Sequence, residues 1–114
     1  MIRVTFYRTA SGFEPVRAYL DSLSVKMRAK VLGHIELLAE KGADLRMPFS
    51  RHLEDGIFEL RVSQGGNIVR VLYFFVVGGE AVLTHGFTKK TQRTPRREIE
   101  RARSAREDWR GRHD

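Results

Sequence analysis

Cysteine is absent from the 114-residue chain. Disulfides and thiolate metal sites are therefore excluded, and the absence fits a cytoplasmic protein. Long apolar runs are missing too: the longest, residues 71–77, falls far short of the roughly 20 residues a membrane-spanning helix needs. The opening "MIRVTFYRTA" has no extended apolar stretch and no small-residue cleavage site, so no signal peptide is expected. Histidine is sparse, and His34, His52, His85 and His113 lack ligand spacing, so no metal site is expected. There is no Walker loop and no dinucleotide glycine fingerprint; "QGGN" and "VGGE" read as hairpin turns. No repeat or Pro/Ser linker divides the chain, so residues 1–114 are expected to form one domain.

Acidic residues are also in short supply, with 14 Asp or Glu against 21 Lys or Arg and a net charge of +7. The excess is uneven. Residues 89–114 hold 10 basic against 5 acidic side chains, whereas residues 1–88 hold 11 against 9. Such asymmetry suggests a polyanionic partner, nucleic acid or an acidic protein; the alternative is a solvated arginine-rich helix.

The apolar pattern defines the elements. "IRVTFY" (2–7) alternates and is rich in β-branched and aromatic residues, as a strand is. Pro15 suits a first helical turn, with Val16, Tyr19, Leu20 and Leu23 as its apolar stripe. Ser24 is a cap for a second helix that Gly42 ends, with Met27, Val31, Ile35 and Leu38 at helical spacing. Segment 42–56 contains Pro48 and lacks periodicity, so it reads as a loop. "IFELRV", "NIVRVLYFFVV" and "AVLTHGF" read as strands joined by glycine turns. A last helix is expected from Thr94 as N-cap and Pro95 as first residue. The layout is β-α-α-β-β-β-α, an α+β domain with helices on an antiparallel meander.

Turn positions predict the register. If Gly65-Gly66 is a two-residue turn, Val62 faces Val69, Leu60 faces Val71 and Phe58 faces Tyr73, giving one apolar face. The other face sets Arg61 opposite Arg70, with Glu59 next along. A two-residue turn at Gly78-Gly79 adds His85 opposite Leu72, Phe87 opposite Arg70, and Lys89 beyond, with Phe74 and Leu83 as an apolar edge. Adjacent like charges destabilise a sheet, and Glu59 alone does not balance these. Either the arginines splay into solvent or pair with acids such as Glu54 and Asp55, or they form a phosphate site. Arginine forks bind phosphate oxygens bidentately, and lysine adds a point charge.

Metal-free RNA cleavage is compatible with these groups. The 2′-hydroxyl attacks the phosphate, which requires a base, an acid and cations for the phosphorane. Arg61 and Arg70 suit the last role; Lys89, Lys90, His85 and Glu59 are candidates for proton transfer or phosphate positioning. Phe87, with Phe74 along the same face, is placed for base stacking, whereas Trp109 is expected to pack back on the domain or a partner.

"GIFELRV", "NIVRVLYFF" and "HGFTKKTQRTPRREIERA" resemble the RelE/ParE superfamily of toxin-antitoxin toxins, in its HigB-like, phage-associated branch, over nearly the whole chain. The resemblance implies a RelE-like fold and a ribosome-dependent mRNA interferase without cofactor. It further implies a cognate helix-turn-helix antitoxin, contact with operator DNA only through that antitoxin, ribosome and mRNA as targets, and no membrane. By the resemblance, Arg70 matches the strand arginine that stabilises the phosphate, Lys90 the basic residue after the last strand, and Arg61 a basic residue of the preceding strand. Thr91, Arg93, Arg96 and Arg97 extend the expected RNA-contacting surface with Glu59 and Phe87. The last helix lacks the tyrosine that several relatives carry, which leaves His85 and Lys89 as substitutes. A ParE-like inhibitor of DNA gyrase and a non-catalytic nucleic-acid-binding module are the competing readings.

Overall fold

A computed structural model describes residues 1–90 and 93–113. The chain forms β1 (Arg3–Phe6), α1 (Pro15–Ser22), α2 (Val25–Lys41), a short 3-10 turn (Gly42–Asp44), β2 (Ser50–Glu54), β3 (Ile57–Gln64), β4 (Asn67–Val76), β5 (Glu80–Lys89) and α3 (Arg96–His113). The α+β class is as expected. Strands β2 to β5 form the antiparallel meander, and β1 lies parallel to β5, giving the order β1-β5-β4-β3-β2. The helical hairpin carries the chain from one sheet edge to the other, which makes the five-stranded sheet mixed.

Strand β2 corrects the expectation of a loop over 42–56. Asp55-Gly56 forms a tight hairpin turn with φ of 50° and 74° at the two residues, the positive pair that a type I′ turn requires. A bulge at Leu53 separates Glu54↔Ile57 from His52↔Phe58 and hides the strand's alternation.

Helix α2 starts as expected, with the Ser24 hydroxyl accepting from the Met27 amide at 3.1 Å. Its buried stripe of Met27, Val31, Ile35 and Leu38 packs with Val16 and Leu20 of α1 on Leu60, Val62, Val69, Val71 and Tyr73. Helix α1 approaches β5 so closely at Gly86 that a Cβ there would stand 2.4 Å from the Tyr19 ring. Helix α3 covers part of the opposite face, where Ala102, Ala105 and Trp109 pack on Ile57, Leu72, Phe74 and Val82. It begins at Arg96, one residue later than expected, and the Thr94 hydroxyl is directed to Glu59.

The β3–β4 register is the expected one throughout. In β4–β5 two departures cancel. The turn is one residue longer, pairing Val76 with Glu80, and a bulge at Thr84 restores Leu72↔His85 and Arg70↔Phe87. Between turn and bulge the faces are exchanged. Leu83 therefore joins the α1–α2 core opposite Tyr73, while Phe74 is buried against Trp109 with ring centroids 5.8 Å apart. The expected Phe74–Leu83 edge does not form, and Phe74 offers no stacking surface to a base.

Candidate anion-binding site

The half of the second sheet face that the α3 core contacts leave over is charged. Residues directly opposite share a face, so the ladder aligns Arg51 with Glu59, Arg61 with Arg70, Arg70 with Phe87, and Ile68 with Lys89. Residue Thr94, just before α3, joins them. Its hydroxyl donates to Glu59 Oε1 and accepts from Lys89 Nζ at 3.5 Å.

These polar groups are not splayed into water. Glu59 is 1% exposed, Arg70 3% and Lys89 5%; Arg61 reaches the surface with its side chain 17% exposed, and Arg51 stands exposed at the edge. Glu59 is the hub: Arg61 Nη1 donates to Oε2 at 2.7 Å, and Arg70 Nε stands 3.6 Å from Oε1. Arg70 Nη1 donates to the Val69 carbonyl at 3.0 Å, while Nε finds no hydrogen-bond partner among the described residues. Burial, then the neighbouring Arg61, lowers the Arg70 pKa against the pull of Glu59. A guanidinium stays protonated at neutral pH all the same. The Lys89 ammonium is disfavoured first by burial and then by Arg70, with Glu59 opposing and Arg61 and Arg51 adding to the repulsion. Arg61 and Arg70 thus converge on one carboxylate with Lys89 beside them, and an added anion relieves the repulsion among these cations.

The remaining candidates lie around this cluster. Lys90 is exposed at the end of β5, and Arg93 is exposed before α3. Phe87 is half-buried and stacks on His85 with centroids 5.8 Å apart. His85 itself lies under α3, 1% exposed, with Nε2 3.0 Å from Glu98 Oε1 and Nδ1 3.0 Å from Thr84 Oγ1. Burial and then Arg101 lower its pKa to about 4, against Glu98. At neutral pH the ring is uncharged, and Nε2–H donates to Glu98. Arg96 is held by both Glu54 oxygens and by Glu100, and Arg97 is exposed, 3.8 Å from Glu98. Thr91 lies outside the described residues.

Residues 18–107, well over half of the chain, match the family described as "Phage derived protein Gp49-like (DUF891)". The chain belongs to this family. Gp49-like proteins are a family of RelE-like toxins of toxin-antitoxin systems, which implies an antitoxin as partner for this Gp49-like chain. No curated protein matches the chain.

The Gp49-like chain uses Glu54 and Asp55 to dock α3 and not to neutralise Arg61 and Arg70. Arg106, 6% exposed, bonds to the Asp55 carboxylate at 2.6 Å and to its carbonyl, while Arg103 approaches Glu54 and Asp55 at 3.6 Å. Much of the basic helix is therefore balanced internally. Sequence reasoning missed Arg51 because β2 read as a loop; Asp55-Gly56, a strong hairpin signal, pointed to it. Thr94 read as a cap, and its link to Glu59 depends on a contact 35 positions away, which no local pattern contains.

Proposed function

We propose that this Gp49-like chain is a HigB-like toxin that cleaves mRNA on the ribosome and is neutralised by a helix-turn-helix antitoxin. One observation carries the reading: a buried Arg70 flanked by Arg61 and Lys89, with Glu59 as the carboxylate shared between them. A structural role alone gives no reason to keep cations so crowded, whereas a phosphodiester supplies the missing negative charge.

In this mechanism the ribose 2′-oxygen attacks the phosphorus and the bond to the 5′-oxygen breaks, leaving a 2′,3′-cyclic phosphate and a 5′-hydroxyl. Lys89, its ammonium disfavoured by burial and then by Arg70, takes the 2′-proton. Lys90 supplies a proton to the leaving oxygen, and Arg61 and Arg70 hold the equatorial oxygens of the phosphorane. Phe87, opposite Arg70, gives an aromatic face beside the phosphate. Arg93, Arg97 and Thr91 contact the RNA backbone, with Arg96 reaching it from its pair with Glu54. His85 is a positioning residue that ties β5 to α3 through Glu98.

The test is to map mRNA 5′ ends after a pulse of expression, comparing the wild type with Arg70→Ala. Translation-dependent cuts that vanish in the variant support the reading. Growth arrest with intact mRNA and stalled replication overturns it in favour of gyrase inhibition.

A further inference from the structure

Beside the cation cluster, between β2 and the start of α3, two adjoining openings share Arg93, Thr94 and Ile99. One, of about 410 Å³, is completed by Glu54, Pro95 and Arg96; the other, of about 230 Å³, by Arg51 and Leu53. The linings are mixed in a particular way. Leu53 and Pro95 are half-buried and Ile99 is 8% exposed, so aliphatic surface faces the space. Arg51 and Arg93 stand exposed at its edges. The Arg96–Glu54 pair forms the outer wall, with Arg96 Nη2 donating to Glu54 Oε2 at 2.8 Å.

We propose that this cleft binds a nucleobase of single-stranded RNA, next in the chain to the phosphate held by Arg61 and Arg70. The inference rests on the phosphate reading of that cluster and extends it. Three features favour this occupant over a peptide side chain. First, the cleft is continuous with the cluster through Thr94, which lines both openings and bonds to Glu59 and Lys89. Second, Arg51 belongs to both places: it lines the smaller opening, and its charge reaches Lys89 in the cluster. Third, aliphatic surface edged by cations matches a base attached to a phosphate backbone, whereas an acidic side chain leaves that surface unfilled. Leu53 and Ile99 take the face of the base, Pro95 its flank, and Arg51 and Arg93 the adjoining phosphate oxygens.

Binding of a fluorescein-labelled, fully 2′-O-methylated pentanucleotide tests this without cleavage. Each base in turn is replaced by an abasic sugar, and Kd is read by anisotropy for the wild type, Leu53→Ser and the milder Ile99→Val. The expected result is a loss on the order of tenfold when one particular base is removed from the wild-type ligand, the scale of losing about 60 Å² of apolar burial. That loss shrinks in both variants. Equal affinities for all abasic ligands, or the same loss in wild type and variants, overturn the proposal. Arg70→Ala separates it from the phosphate reading. If that change leaves affinity for every ligand intact while the single-base loss persists, the phosphate reading fails and the base cleft stands.

Discussion

Glu59 holds together charges that would otherwise repel. It is 1% exposed, forms ion pairs with both Arg61 and Arg70, and also receives the Thr94 hydroxyl. Breaking a buried pair leaves uncompensated charge, which typically costs about 3–5 kcal/mol. Glu59→Gln keeps an acceptor for Thr94 and removes the charge, so urea unfolding should show a loss near the lower end of that range. Adding Arg61→Met should recover part of it, because one of the repelling cations is then gone; an additive double variant contradicts this account. His85 makes a second prediction. Its pKa is lowered in the folded protein from 6.5 to about 4, so between these values the unfolded chain binds more protons. The stability present above pH 6.5 is lost as pH falls toward 4, by roughly 3 kcal/mol for a shift of this size. Urea titrations at several pH values should show a steeper acid loss for the wild type than for His85→Gln, which keeps a donor for Glu98 and has no charge to gain.

Among the elements, those with an uninterrupted period were legible: α2 from its stripe and Ser24 cap, and β3–β4 from the Gly65-Gly66 turn. What the sequence concealed is where the period breaks. The Leu53 bulge disguised β2, and the Thr84 bulge moved Leu83 to the opposite face while leaving Arg70, Phe87 and His85 in their expected rows. A bulge adds one residue without a compositional mark, so only the pairing reveals it. The cation cluster was legible because it lies beyond the bulge, where the longer turn and the extra residue cancel. Gly86 was unreadable for another reason, since its role is set by a helix distant in sequence. A Cβ there meets the Tyr19 ring at 2.4 Å, and the Tyr19 hydroxyl bonds to Thr88 at 2.7 Å. Gly86→Ala should therefore destabilise by about 1–3 kcal/mol through overpacking and lift α1 from β5. Tyr19→Leu should restore part of that stability in thermal unfolding, an effect that a purely local backbone strain would not allow.

For the molecule as a whole, the net charge of +7 is a poor guide to where an anion sits. Helix α3 carries much of the basic excess, yet Arg103, Arg106 and Arg112 beyond its first turn are engaged by Glu54, Asp55, Glu100 and Asp108. At the sheet, Arg61 and Arg70 share Glu59, with Lys89 and Arg51 close by. Counterion release distinguishes these two sets, because each phosphate neutralised on a single strand adds about 0.7 to the slope of log K against log salt. Under the phosphate reading, Arg61→Ala and Arg70→Ala should each lower that slope by about 0.7 with a 2′-O-methyl oligonucleotide. Arg103→Ala and Arg106→Ala should leave the slope unchanged and lower the thermal midpoint instead, since Arg106 is a buried anchor of α3 on the β2–β3 turn. The reverse pattern, with salt dependence following Arg103 and Arg106, would mean that the far surface of the helix and not the sheet meets the nucleic acid.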